Sequence, residues 1–126
     1  MQRIISSTLF GLAIASAAGA ASADEYIAAY TCKMNEGKKV EDVQAANSAW
    51  LKWVRANVNE KINSHVGTAV VGKFDTFLFV DSYPDLATWA SAHMALQNDA
   101  PKELEANLDA AAKCSENRLW RMRPTE

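Results

Sequence analysis

Histidine is scarce in this chain, with only His65 and His93 among 126 residues. The two stand apart, and no His-Glu-x-x-His occurs, so no metal site is expected. Cys-x-x-Cys-His, which would attach haem covalently, is also missing, as is the Gly-x-Ser-x-Gly elbow of serine hydrolases. Basic charge is not in excess: the formal net charge is −2. Arg118, Arg121 and Arg123 gather on the terminal segment, but without interleaved glycine or a recognisable binding motif, so no nucleic-acid partner is expected. No internal repeat or linker is visible, and the only low-complexity stretch is at the start.

That start carries a clear pattern. Arg3 is followed by an apolar, small-residue body from Ile4 to Ala20 and then by Ala21-Ser22-Ala23, just before Asp24-Glu25. This is the layout of a secretory signal peptide cut after Ala23. A membrane anchor is the competing reading, but the run is interrupted by Ser6, Ser7, Thr8, Gly11, Ser16 and Gly19 and falls short of about 20 strongly apolar residues. The expectation is therefore a periplasmic or secreted protein with no stable membrane anchor after cleavage. Residues 24–126 then form one domain of about 103 residues, enough for a single core, with a net charge of about −3. Cys32 and Cys114 both remain, and in an oxidising compartment they are expected to pair; two unpaired buried thiols are the alternative.

Tyr26 to Met34 alternates Tyr26, Ala28, Tyr30, Cys32 and Met34 against a second set, which predicts a strand. Asn35 to Lys39 supplies a turn. From Val40 to Val58 the period changes to 3.6, with Val43, Ala46, Asn47, Trp50, Val54 and Asn57 on one stripe of a predicted helix. A second strand is expected from His65 to Phe74, and a third from Thr76 to Asp81, paired as a hairpin. Ser82 to Asp85 has capping-box spacing, and Pro84 suits a first helical turn, so a helix is expected from about Tyr83 to about Gln97. Pro101 interrupts it, a further helical segment runs to Lys113, and Asn117 to Arg123 is the last strand.

The order β-α-β-β-α-β is the ferredoxin-like α+β arrangement: a four-stranded antiparallel sheet with helices on one face. It makes the first and last strands neighbours, which brings Cys32 and Cys114 to one edge. Apolar residues fall in both alternation sets of the first and third strands, so the face opposite the helices needs a cover. A second copy in a two-fold homodimer is the simplest one.

With Phe77-Leu78-Phe79-Val80-Asp81-Ser82-Tyr83 followed by Leu86, Trp89 and His93, the chain resembles the dimeric α+β barrel superfamily. Within it, the likeness is to the domains related to antibiotic-biosynthesis monooxygenases and to stress-responsive barrel proteins. The resemblance implies a homodimer and a pocket between each sheet and its helices. Some such relatives oxidise aromatic compounds without a cofactor or degrade haem, so haem is the cofactor the resemblance brings into view. Asn47, Trp89 and His93 match the pocket residues of those relatives by type, whereas the asparagine they carry on the first strand has no counterpart here.

The candidate site follows from the helical stripes. Leu86, Trp89, Ala90, His93 and Gln97 share one face of the second helix, which turns His93, the candidate catalytic group, toward the sheet. Asn47 and Trp50 face the same space from the first helix, and Tyr30 from the first strand. Together they outline an apolar cleft with a few polar groups, suited to a small apolar or aromatic ligand. Each has a plainer reading: a histidine hydrogen-bonded in a core, and tryptophans and tyrosines that only pack. Asp85 is read as a helix cap rather than an acid or base. Three functions remain open: a non-catalytic ligand-binding dimer, a monooxygenase-like enzyme, and a structural interaction module.

Overall fold

The computed structural model describes residues 24–126; the expected signal peptide lies outside the described residues. The elements are β1 (Glu25–Met34), α1 (Val40–Asn57), β2 (Asn63–Thr68), β3 (Phe77–Tyr83), α2 (Leu86–Asn98), α3 (Lys102–Ala111) and β4 (Ala112–Met122). The four strands form one antiparallel sheet in the order β2-β3-β1-β4. This is the ferredoxin-like order, with β1 and β4 side by side as expected.

Period-two alternation sorts the sheet into two faces. Ala28 and Cys32 on β1, and Phe77, Phe79, Asp81 and Tyr83 on β3, are buried beneath the helices. Their alternates, including Ile27, Ala29, Leu78 and Val80, lie on the opposite face. On the helix side, α1 buries Val43, Ala46, Asn47, Trp50 and Val54, five of the six residues on its predicted stripe. The sixth, Asn57, is exposed and donates to the carbonyl of Trp53. The core has two parts. In one, Val43 and Ala46 meet Cys32, Phe77, Phe79 and Ala111. In the other, Trp50 and Val54 meet Ala28, Ile62, Tyr83 and Ala92. Tyr30 and Leu108 flank both.

Cys32 and Cys114 form a disulfide with an S–S distance of 1.99 Å. They are cross-strand partners, because β4 begins at Ala112 rather than at Asn117. A register shift sets in at Thr31/Cys32 on β1, where Ser115 of β4 has no opposite residue. The apolar periodicity of the last strand starts only beyond that irregularity, which hid the first half of the strand from a pattern reading.

Two further boundaries move. β2 ends at Thr68, and Ala69 to Thr76 is a loop in which Val70 and Val71 are each 88% exposed and Phe74 72%. Gly72, at φ +94°, takes the left-handed conformation that breaks an extended run. α2 starts at Leu86, not Tyr83, because Asp85 rather than Ser82 is the N-cap: its carboxylate accepts the Thr88 N–H at 2.7 Å. Pro84 thus precedes the helix. The buried face of α2 is also turned from the expected stripe. Thr88 and Ala92 sit against the sheet, while Leu86 is 45% exposed and Gln97 is exposed. Small side chains let the helix approach closely, and the larger neighbours flank the contact.

Candidate functional site

The helix side of the sheet holds a buried polar cluster. Asn47 on α1, Ser64 on β2 and Asp81 on β3 meet where these elements pack. The register puts Ser64 opposite Asp81, so both point at the helix layer. Asn47 Nδ2 donates to Ser64 Oγ at 2.9 Å, and the Ser64 hydroxyl donates to the Asp81 carboxylate. Ser64 Oγ also lies 3.2 Å from Asn47 Oδ1. A hydroxyl has one proton and can accept as well as donate. With Asp81 ionised, the proton of Ser64 belongs to the carboxylate; with Asp81 protonated, the acid can donate to Ser64 and Ser64 to Asn47. Burial pushes the Asp81 carboxyl up to about 6, and the hydrogen bond from Ser64 holds it down in part.

Two tyrosines share this layer. Tyr30 is pushed up to about 12, by burial first and by the charge of Asp81 second. Tyr83 is raised for the same reasons in the same order, with Tyr30 adding to them. Both phenols are therefore neutral near pH 7. Among the described residues, no buried side-chain polar atom lacks a hydrogen-bond partner.

Of the residues singled out from the sequence, Asn47, Trp50 and Tyr30 lie within the helix-sheet layer. Trp50 packs on Ala28, Tyr83 and Ala92, with Trp89 at the edge of that group. His93 is half-buried, its ring 4.6 Å from that of Trp89, and its Nδ1 lies 3.2 Å from the carbonyl oxygen of Trp89. It thus contacts its own helix, and Asn47 is occupied by Ser64. Ser64, Asp81 and Tyr83 were not singled out, although a signal existed. Phe77, Phe79, Asp81 and Tyr83 fall at alternate positions, so strict period two placed a carboxylate on the buried face.

An open cleft of about 750 Å³ adjoins this layer on the helix side of the sheet, at its β4 edge. Its walls are Tyr26 of β1, Leu86 at the start of α2, Leu119, Arg121 and Met122 of β4, and Arg123 just beyond. Tyr26 pairs with Tyr83 on one side and Arg121 on the other, so a continuous cross-strand row links the cleft to the tyrosine beside Asp81. None of the five sequence-derived ligand residues lines it. The cleft exists because β4 is an edge strand whose outer half the helices do not cover: Leu119 is 36% and Met122 49% exposed.

This topology and helix-covered sheet define the chain as an α+β protein with a ferredoxin-like fold. Solved structures share it. SnoaB from Streptomyces nogalater, a cofactor-independent oxygenase, superposes with a TM-score of 0.55 at 13% identity, over 82% of this chain and 97% of that one. A protein from Caulobacter crescentus, provisionally named an antibiotic biosynthesis monooxygenase, gives 0.55 at 10% identity over 82% and 92%. An uncharacterised NIPSNAP-like domain protein from Burkholderia xenovorans gives 0.55 at 10% over 82% and 88%. No protein-family model and no curated protein matches the sequence.

Proposed function

We propose that this protein is an exported homodimer that binds a small apolar or aromatic ligand in the cleft between the start of α2 and the β1–β4 face. The observation that carries the reading is the cleft itself, a concave space of about 750 Å³ walled by Tyr26, Leu86, Leu119 and Met122. Small-molecule sites have this size and this excess of apolar wall over polar group. The site therefore lies one strand away from where the helical stripes put it. Asn47 and His93, both satisfied within the protein, serve structure. The test is the neutral fluorophore N-phenyl-1-naphthylamine added to the mature protein. Saturable binding with a blue shift is expected, and Leu119→Glu, which places a charge on the cleft wall, abolishes it. Binding that is absent, or that survives this substitution, overturns the reading.

One observation favours a second reading, a cofactor-independent oxygenase. A buried carboxyl at about 6, hydrogen-bonded to Ser64, has the proton affinity a general base needs near neutral pH. The fold shared with SnoaB is compatible with it. Asp81, however, is separated from Leu119 by Ala28, two strand spacings or about 10 Å across the sheet. A substrate in the cleft does not reach it without rearrangement. Oxygen uptake with a hydroquinone substrate, lost in Asp81→Asn, would establish this reading. Haem does not fit the residues present: no histidine lines the cleft, and the His93 ring packs at a tilt of 45° against Trp89.

A further inference from the structure

The cleft is not purely apolar, and its two cations are arranged with purpose. Arg121 is the cross-strand partner of Tyr26 and shares its face, and Arg123, just beyond β4, lines the same cleft. The guanidinium of Arg121 lies over the Tyr26 ring, 5.6 Å from its centroid, which fixes the group as a flat plate on the cleft wall. Asp24 is the acid that faces this pair. Its Oδ2 is 3.9 Å from the Nε of Arg121 and 3.9 Å from the Nε of Arg123. At that separation neither contact is a hydrogen bond, so both guanidinium forks keep their donors for a ligand. The two guanidinium charges outnumber the Asp24 carboxylate and leave positive charge in excess at the mouth of an aromatic and aliphatic wall.

We infer that the cleft selects a small aromatic acid: an apolar ring system against Tyr26, Leu86 and Leu119, with its single anionic head on the guanidinium groups of Arg121 and Arg123. This inference rests on the cleft being the ligand site. Planar guanidinium donors match a carboxylate or sulfonate in two parallel hydrogen bonds, which an ammonium cannot do. A cation would be repelled by the same pair.

The test compares two fluorophores of nearly one shape, neutral N-phenyl-1-naphthylamine and its sulfonated analogue 8-anilino-1-naphthalenesulfonate, on the mature protein at low salt. The anionic probe is expected to bind about tenfold more tightly, and the preference to shrink as ionic strength rises. Arg121→Gln together with Arg123→Gln should reduce the ratio to near one, by weakening the anionic probe about tenfold more than the neutral one. Arg121→Lys, which keeps charge but not the plate, should recover only part of it. Circular dichroism and thermal melting confirm that each variant is folded. Equal binding of the two probes by the wild type, or a preference kept by the double variant, overturns the inference and leaves the cleft reading standing. Loss of both probes, or binding of both that Leu119→Glu does not disturb, overturns the cleft reading and the inference with it.

Discussion

Asp81 is the buried carboxyl of the helix-sheet layer, and burial changes its charge in the range where the protein works. Its carboxyl titrates at about 6 in the fold against 3.8 in the open chain, because burial penalises the charge. The folded protein therefore keeps a proton that the unfolded chain releases between about pH 4 and pH 6. The stability Asp81 contributes is complete at the acid end of that window and falls as pH rises through it, by about 3 kcal/mol, then stays level. Asp85 acts in the opposite sense: the Thr88 backbone hydrogen bond lowers its pKa, so its contribution is lost on acidification. Comparison with a variant isolates Asp81. Asp81→Asn keeps an acceptor for Ser64 and has no charge to bury. In urea titrations at pH 4 and pH 7.5, the wild type should lose about 2 kcal/mol relative to this variant, and parallel behaviour would show that the carboxyl is not desolvated. Ser64→Ala is expected to cost about 1 to 3 kcal/mol at pH 7.5, since it leaves both Asn47 and Asp81 buried without a partner. At this scale the sequence was half legible. The 3.6 period marked Asn47 as an inward amide needing a partner, but the partner comes from β2, and a contact between distant segments leaves no local trace.

Elements were legible where periodicity was continuous and illegible where a local device cut across it. β1 and α1 follow from alternation and stripe alone. The end of β2 does not, because Val70, Val71 and Phe74 have strand-forming side chains, yet Gly72 turns the backbone where the strand should continue. If Ala69 to Thr76 is a loop in solution, replacing all three by Ser should change the unfolding free energy by no more than about 0.5 kcal/mol per site; loss of a paired strand would cost far more. Another element boundary depends on a side chain far away in sequence. Asn35, in the turn after β1, donates to the carbonyls of Asp109 and Ala110 at 2.7 and 3.0 Å, capping the last turn of α3. The disulfide fixes the same corner, since Cys32 and Cys114 close a separation of 82 residues between β1 and β4. Removing it by Cys32→Ala with Cys114→Ala should lower stability by about 2 to 5 kcal/mol, read as a drop in the urea midpoint that dithiothreitol reproduces in the wild type. The pairing was foreseeable from topology. Its placement inside β4 was not, because the irregularity at Ser115 shifts the register.

For the whole molecule, the face of the sheet away from the helices decides the state of assembly. Across it, Ile27 pairs with Ser82 and Trp120, Ala29 with Val80 and Arg118, and Thr31 with Leu78 and Glu116. Leu78 is 39% exposed and Trp120 48%, and the Arg118 guanidinium lies 6.0 Å from the Trp120 ring centroid. Its centre is thus apolar, while charge lies on the β4 edge and at the two ends of β1, at Glu25 and Lys33, the distribution of an interface core and its rim. In the proposed homodimer, a two-fold axis in the plane of this face would set the sheet of one copy on that of another and cover the apolar centre of both at once. Specific interfaces bury about 800 Å² per partner, an area that needs most of a four-stranded face and is not supplied by its edge alone. A charge at the centre therefore acts twice, once on each copy. Val80→Arg should convert the dimer to a monomer that keeps the helix-side core, its disulfide and the strand register. The measurement is molar mass by light scattering during size-exclusion chromatography, beside circular dichroism of the same fractions. A wild type of two chains and a folded variant of one are expected. A monomeric wild type, or a variant that stays dimeric, would mean that this face is not where the copies meet.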